Sequence, residues 1–439
     1  MYKPIPLFIL LIFLFTGCIR PKNKYTSLAP GLWRGALHLS TIPSLSLKDE
    51  IDRYEKDGTK PVYNPEDELP FFFEVFYNEQ TGNPFVEIIN GPERIRIDEV
   101  YWGRNKNTAE DTVLIDFVVF DSHIRGIIRE GIIQGEWVVR NKVNYRIPFS
   151  AHYGKKDKFQ VVPALPDEDL TGHWDCTFDL NLARTSKAIG EFVQNGSSLQ
   201  GTFRTPTGDY RYLDGTISAN KFYLSTFDGS HAYLFFGKVE GDSLLGTYKS
   251  GNHFLSVWTG HKNSSAELPS PTSMNAVSGQ PVKFSFSDQD GQIKSLSEYK
   301  NSILILQIMG TWCPNCYDET RFLIQYLKDN PTLDLGVIGL ASERHKDSAK
   351  ALNAIKIYKQ KLEVPYDILL ASTTTNKSAT SKQLPFLDSV IAYPTMIILD
   401  RERKIKSIHT GFDGPATSKY ADFVKEFDQT IKSLSKELK

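Results

Sequence analysis

Two cysteines, Cys313 and Cys316, are separated by two residues in the segment GTWCPNCYDET. A pair with this spacing can be a redox couple, half of a zinc site or an inert disulfide. A zinc site needs four ligands, and the other cysteines of the chain, Cys18 and Cys176, lie far away in the sequence. A structural disulfide that closes so short a loop would constrain the unfolded chain very little. The spacing therefore favours dithiol–disulfide exchange.

The cysteines lie between a predicted strand and a predicted helix. Residues 303–309 form a continuous apolar run, as in a strand buried on both faces, and residues 314–328 have helical periodicity. Pro314 suits the first helical turn, where its missing N–H costs nothing. A sulfur at that position faces free N–H groups and the positive end of the helix dipole, which both favour thiolate over thiol. We therefore expect Cys313 to attack and Cys316 to resolve the mixed disulfide.

The C-terminal part of the chain, residues 282–439, alternates predicted strands with predicted helices. Further strands are expected at 335–341 and 395–399, and further helices at 348–362 and 416–438. This alternation indicates an α/β domain with a partly parallel sheet. The polar, proline-bearing stretch 263–281 before it is predicted to be a linker.

The preceding part of the chain has short aromatic and β-branched runs between turn residues, which is typical of antiparallel barrels or sandwiches. Four motifs recur there in the same order, which indicates an internal repeat. The paired motifs are GLW at 31–33 and GHW at 172–174, FDSH at 120–123 and FDGSH at 227–231, GEW at 135–137 and GTY at 246–248, and FSAH at 149–152 and WTGH at 258–261. We expect a first β-rich module at 31–156 and a second one, its repeat, at 170–262. Cys176 is predicted to be a buried core thiol that shares a strand face with Trp174, Phe178 and Leu180.

The N-terminus has the pattern of an export signal. The apolar run 5–15 has the length of a signal-peptide core and is too short to span a bilayer. It leads into the sequence FTGC, which resembles the lipobox of bacterial lipoproteins. The resemblance implies a signal peptide at 1–17, lipidation of Cys18, a tether at 18–30 and a lipid-anchored protein that faces the periplasm in the bacterial cell envelope. The alternative is an ordinary secretory signal with a chance cysteine.

Charge argues against one class of partner. The formal net charge is −1, from 51 basic and 52 acidic residues, so the chain lacks the basic excess of nucleic-acid-binding proteins. We expect no metal and no cofactor, because the cysteines do not form a set of metal ligands. The peroxiredoxin pattern also fails, since it requires a proline and a threonine where this chain has Leu306 and Gly310.

Residues 282–439 resemble the thioredoxin-like domain of TlpA-type membrane-anchored disulfide reductases. The segments that carry the resemblance are DQDG at 288–291 with LSEYK at 296–300, WCPNC at 312–316, YPT at 393–395 and GFDGP at 411–415. The resemblance implies that Trp312 and Pro314 support the cysteines. It also implies a cis peptide at Pro394, whose loop, with Tyr393 and Thr395, lies against Cys313 and holds the substrate. The alternative is a proline in an edge strand.

The proton acceptor for the resolving thiol is less obvious. Thioredoxins carry a buried Asp six residues before the first cysteine, whereas this chain has Gln307, which cannot titrate. Glu343 matches the place where some relatives keep an acid near the cysteines, so we predict Glu343 as the proton relay. The alternative is a surface glutamate that caps the following helix. Glu319 lies one turn along the predicted helix and is expected to be solvated.

Two functions are consistent with these patterns. The first is a lipid-anchored reductase of disulfides in exported proteins, supplied with electrons by an unidentified membrane or periplasmic donor. Its reducing direction is implied by the family resemblance. The second is a ligand- or protein-binding lipoprotein, in which the β-rich modules carry the function and the thioredoxin-like domain is accessory.

Overall fold

The computed structural model describes residues 28–39, 64–268 and 281–437. The predicted signal peptide, Cys18 and most of the predicted tether and linker lie outside these residues. Across the described part of the chain, no helix is long and apolar enough to cross a membrane.

The first sheet has nine antiparallel strands and corresponds to the first predicted module. Its strands are β1 (Gly31–His38), β2 (Glu68–Tyr77), β3 (Pro84–Asn90), β4 (Glu93–Ile97), β5 (Val100–Arg104), β6 (Asp111–Phe117), β7 (Ser122–Arg129), β8 (Ile132–Val139) and β9 (Arg146–Tyr153). They are ordered β4-β3-β2-β1-β9-β8-β7-β6-β5. Alternate side chains enter the core because successive residues of a strand point to opposite faces, so Val86 and Ile88 of β3 are fully buried.

The second sheet also has nine strands and closes on itself. Its strands are β10 (Gly172–Phe178), β11 (Ser186–Asn195), β12 (Ser198–Thr205), β13 (Gly208–Asp209), β14 (Leu213–Ser218), β15 (Lys221–Phe227), β16 (Ala232–Glu240), β17 (Ser243–Ser250) and β18 (Phe254–Lys262). They are ordered β11-β10-β18-β17-β16-β15-β14-β12-β13, and β11 pairs with β12 as well. The additional pairing closes a barrel around Phe203, Phe235 and Trp258, which are fully buried.

The repeated motifs occupy equivalent places in the two sheets. In each sheet the first strand carries the tryptophan and pairs with the last strand. Trp33 Nε1 donates to Ala29 O at 2.9 Å, and Trp174 Nε1 donates to Leu170 O at 2.8 Å. The same contact, from the indole to a carbonyl four residues earlier, thus fixes the entry of the chain into both modules.

Cys176 lies in the core of the second sheet with Trp174 and Phe178, as predicted. Burial raises the pKa of its thiol to about 12, so it has little nucleophilic character at neutral pH. The prediction that Leu180 shares this face is wrong. Strand β10 ends at Phe178, and Leu180 beyond it is 44% exposed.

The third sheet, with its helices, forms the α/β part of the chain. Its strands are β19 (Ser285–Ser287), β20 (Ile293–Ser295), β21 (Ile303–Met309), β22 (Leu335–Ser342), β23 (Asp367–Ser372), β24 (Thr395–Leu399) and β25 (Ile405–Thr410), and the helices are α1 (Pro314–Asp329), α2 (Ser348–Leu362), α3 (Lys377–Gln383) and α4 (Tyr420–Glu437). The strands are ordered β20-β19-β23-β22-β21-β24-β25, and β21, β22 and β23 are parallel. All seven residues of β21 are buried, as its continuous apolar run predicts. The predicted fold class, two antiparallel β modules followed by a thioredoxin-like α/β domain, is confirmed.

Candidate active site

The two cysteines lie where the central strand β21 passes into helix α1. Cys313 is the N-cap of α1, and its sulfur accepts a hydrogen bond from the Cys316 N–H at 3.3 Å. Pro314 occupies the first helical turn, as predicted. The sulfur of Cys313 therefore faces the free N–H groups of the helix start, where the sequence pattern places it.

The surroundings of the two sulfurs differ. Cys313 is 6% exposed, whereas Cys316 is completely buried. Burial raises the pKa of the Cys316 thiol well above its ordinary value, and its hydrogen bond with Cys313 and the negative charge there raise it further. Cys316 is therefore held as a thiol beside a sulfur that accepts an N–H of the helix start. This asymmetry supports the predicted roles, in which Cys313 attacks and Cys316 resolves.

The loop before β24 lies against the sulfur of Cys313. The peptide bond between Tyr393 and Pro394 is cis, as expected. The Cys313 thiol donates to Tyr393 O at 3.6 Å, and the Tyr393 ring packs edge-on against Trp312 with 5.6 Å between the ring centroids. Because β24 lies between β21 and β25, the edge-strand alternative for Pro394 is wrong. Thr395 is fully buried at the start of β24.

Gln307 lies on β21 and is fully buried. Its amide nitrogen donates to Cys316 O at 3.3 Å, and its amide oxygen accepts from Thr320 Oγ1 at 3.2 Å and from the Tyr366 hydroxyl at 3.3 Å. The side chain thus fastens helix α1 to the sheet. It holds Cys316 in place and offers no group that could accept a proton at neutral pH.

Glu319 is fully buried, so the expectation that it is solvated is wrong. Neither of its carboxylate oxygens has a hydrogen-bond partner among the described residues. Burial raises the pKa of this carboxyl to about 8, although the Gln307 side chain, beyond hydrogen-bond distance, acts in the opposite direction. It lies three residues after Cys316 on one face of α1, and its charge contributes to the raised pKa of the Cys316 thiol. The helical spacing of Cys316, Glu319 and Leu323 was the sequence signal for this burial.

Glu343, the predicted relay, is 1% exposed, so the alternative of a surface residue is wrong. Its carboxylate accepts from the Thr311 N–H at 3.0 Å and from Thr311 Oγ1 at 2.8 Å. Burial raises its pKa to about 6, although both bonds from Thr311 act in the opposite direction. Both oxygens are thus engaged with the loop that leads into Trp312 and Cys313, which indicates a positioning role.

The second β module covers the face of the thioredoxin-like domain that carries the cysteines. Asn315, between the cysteines, donates from Nδ2 to Asp209 O at 3.4 Å, and Ser230 Oγ donates to Trp312 O at 3.4 Å. Asp209 also accepts from the Gly414 N–H at 2.7 Å. These contacts place the second module against Trp312 and Asn315, on either side of Cys313, which is 6% exposed. The sequence contains no sign of this contact, because the contacting residues lie in short polar segments without periodicity.

A buried arginine joins the three parts of the chain. Arg211 of the second module is 4% exposed and forms ion pairs with Glu93 of the first module, with Asp228 of its own module at 3.7 Å and with Asp318 of α1 at 3.2 Å. Burial raises the pKa of Asp318 to about 7, although Arg211 acts in the opposite direction. Asp318 lies two residues after Cys316, so this group of ion pairs couples the packing of the modules to the active-site helix.

Part of the chain is similar to known proteins. A model described as the AhpC/TSA family matches residues 278–408. The thiol:disulfide interchange protein DsbE of Vibrio cholerae is 29% identical over 90 residues, which are 20% of this chain and 47% of that protein. The match therefore spans about half of the length of this relative.

Solved structures are also similar to the chain. A thioredoxin family thiol:disulfide interchange protein from Chlorobium tepidum is 20% identical, covers 37% of this chain and 99% of its own, and has a TM-score of 0.28. The thioredoxin domain of a thiol-disulfide oxidoreductase from Bacteroides vulgatus is 16% identical, with coverages of 35% and 99% and a TM-score of 0.27. The resemblance to known families is limited to the C-terminal part of the chain.

Proposed function

We propose that the chain is a thiol–disulfide oxidoreductase in which Cys313 and Cys316 exchange a dithiol for a disulfide. The asymmetry of the two sulfurs carries this proposal. One sulfur caps a helix and accepts an N–H, and the other is buried beside a carboxyl without hydrogen-bond partners. The relative named as a thiol:disulfide interchange protein supports the same chemistry.

The proposed reaction runs in two steps. The thiolate of Cys313 attacks one sulfur of a substrate disulfide, forms a mixed disulfide and expels the other sulfur as a thiolate. Cys316 then loses its proton and attacks Cys313, which releases the second substrate sulfur and leaves a disulfide between Cys313 and Cys316. The two electrons pass from the protein to the substrate.

We assign the proton from Cys316 to Glu319 instead of Glu343. Both carboxyl groups are buried, but the oxygens of Glu343 already accept two hydrogen bonds from Thr311. Those of Glu319 are without a partner among the described residues, on the same helix as Cys316. A group with a pKa of about 8 can take up a proton from a buried thiol and release it again near neutral pH.

The remaining parts of the proposal rest on the sequence. They are export, lipidation of Cys18, a position in the bacterial cell envelope and the reducing direction on exported proteins. A protein disulfide would reach Cys313 only after the second β module moved away from the active-site face. An alternative is that the β modules bind a ligand or a protein. Their direct contacts with the residues beside the cysteines are the observation that supports it.

Reduction of a small disulfide by the full chain tests the exchange. Cys313→Ser should abolish it, because the attacking sulfur is absent. Cys316→Ser should form a mixed disulfide that persists, since nothing resolves it. Intact mass measurement detects that adduct. An activity that is unchanged in Cys313→Ser would rule out the proposed mechanism.

A further inference from the structure

A small cavity of about 210 Å³ lies where both β modules meet the thioredoxin-like domain, and we call it the junction cavity. Its lining includes Lys142 and Tyr145 from the turn between β8 and β9. It also includes His231 and Tyr233 from the second module and Arg344 from the segment after β22. All three parts of the chain are needed to form it.

Two side chains of the junction cavity carry positive charge without a paired carboxylate. No carboxylate oxygen lies within 4.0 Å of the Lys142 ammonium or the Arg344 guanidinium among the described residues. Two acids, Glu343 and Asp121, act on the Arg344 guanidinium, and they do so from longer range. Burial and then the charge of Arg344 lower the pKa of Lys142, so the two cations disfavour each other. A bound anion would relieve this repulsion.

The junction cavity lies beside Trp312, the residue before Cys313. The Arg344 guanidinium lies 4.6 Å from the centre of the Trp312 ring, and Ser230, another lining residue, donates to Trp312 O. Burial lowers the pKa of Arg344 and raises that of Tyr233, and the nearby charge of Cys313 acts on both groups in the raising direction. An anion held between the cations would therefore lie beside the residue that we propose as the nucleophile.

We propose that the junction cavity binds the carboxylate end of a low-molecular-weight disulfide and presents its sulfur to Cys313. This inference rests on the proposed function and specifies its substrate class. Since one water occupies roughly 30 Å³ of liquid, the cavity has room for a group of about amino-acid size. The hairpin that contains Asp209 covers the face of the thioredoxin-like domain that a peptide substrate would use. The β modules thus contribute the binding site, and the thioredoxin-like domain contributes the chemistry.

The reaction balances with the reduced protein as the electron donor. Cys313 bonds to one sulfur of the small disulfide and expels the other half as a thiolate. Cys316 displaces the second half from Cys313 while its proton passes to Glu319. One small disulfide gives two small thiols, and the two cysteines of the protein become a disulfide.

Single-turnover oxidation of the reduced full chain by two disulfides tests the site. Dithiodipropionate carries two carboxylates, and hydroxyethyl disulfide is neutral. The dianion should react about tenfold faster, the effect of one charge-assisted hydrogen bond. Lys142→Gln should lower this ratio towards one. Lys106→Gln removes the same charge from an exposed turn of the same module and should leave the ratio unchanged.

The possible failures are distinct. A ratio near one in the wild type, or an equal fall in both lysine variants, would overturn the carboxylate site and leave the exchange chemistry intact. If Cys313→Ser reacted with either disulfide as fast as the wild type, the proposed function itself would fail. Lys142 is exposed at the rim of the cavity, so its substitution should leave folding intact, which circular dichroism checks. The Cys316→Ser variant should gain the mass of one half of dithiodipropionate.

Discussion

Two buried glutamates near the cysteines differ in their hydrogen bonds, and this difference indicates different roles. Glu343 is saturated by Thr311 and therefore shapes the approach to Cys313. Glu319 has the environment of a group that changes its protonation state, because nothing in the described structure bonds to its oxygens. The carboxylate of a buried acid is costly without partners, so such a group persists where its proton is used.

Glu319→Gln should slow the resolution step about 100-fold, the lower range for general acid–base catalysis. Only the carboxylate accepts a proton, and its pKa is about 8. The resolution rate in the wild type should therefore rise with pH through about 8, and this rise should be lost in the variant. Stopped-flow measurement of mixed-disulfide decay gives the rate, and alkylation of Cys313 by a small reagent serves as the control. A pH profile that is the same in both proteins would exclude Glu319 as the acceptor.

The turns that close the active-site face are fixed by close backbone contacts. Gly411 has a φ of +82°, and a Cβ built there would lie 2.6 Å from the backbone of Thr207 in the second module. A turn of the thioredoxin-like domain and a hairpin of the β barrel thus approach each other as closely as glycine allows. Position 411 belongs to the GFDGP turn that carries the family resemblance, and here it also meets another module.

Gly411→Ala should loosen the cover and make Cys313 more reactive towards a bulky maleimide, with little change towards iodoacetamide. Gly291→Ala is the matched control, because its φ is +80° and nothing lies within 4 Å of the added Cβ. The left-handed backbone at each position should lower the free energy of unfolding of both alanine variants by about 1–2 kcal/mol. Only Gly411→Ala should gain bulky-reagent reactivity, and an equal gain in the two variants would show that the contact with Thr207 does not hold the cover.

The elements that the sequence predicts best are those with a long, periodic pattern. The continuous apolar run of β21 and the amphipathic pattern of α2 lie where they were predicted. Strand β23 and helix α3 were not predicted, and the α3 sequence KSATSKQ has only one apolar residue and therefore no apolar period. The closing helix α4 begins at Tyr420 instead of residue 416, since Thr417 and Ser418 bond elsewhere, to Gly414 and Glu191.

Contacts from all three parts of the chain meet at one buried cation, Arg211. Arg211 neutralises carboxylates from two β modules and one helix, so no pair of modules holds it alone. These ion pairs could not be predicted from the sequence, because Glu93 and Asp318 lie 118 and 107 positions from Arg211. Cysteine chemistry could be predicted locally, whereas its cover depends on long-range charge pairing.

Arg211→Met should lower the free energy of unfolding by about 3–5 kcal/mol, because it leaves buried carboxylates without a counter-charge. It should also expose Cys313 to bulky reagents. Arg129→Met is the control, since Arg129 pairs with Glu110 on the surface, where such a bond contributes about 0–1 kcal/mol. Thermal unfolding and maleimide labelling measure the two effects. Equal stability of both variants would contradict the role of Arg211 as the common anchor.

The pairing of first and last strands has a consequence for how such a chain can be rebuilt. Trp33 lies opposite Tyr153, and Trp174 lies opposite Lys262, so the chain leaves each β module beside the point where it entered. Units with neighbouring ends tolerate circular permutation and can be transplanted as cassettes. A thioredoxin-like domain could therefore acquire, exchange or lose such a module in single genetic events, without any change in the path of its own polypeptide.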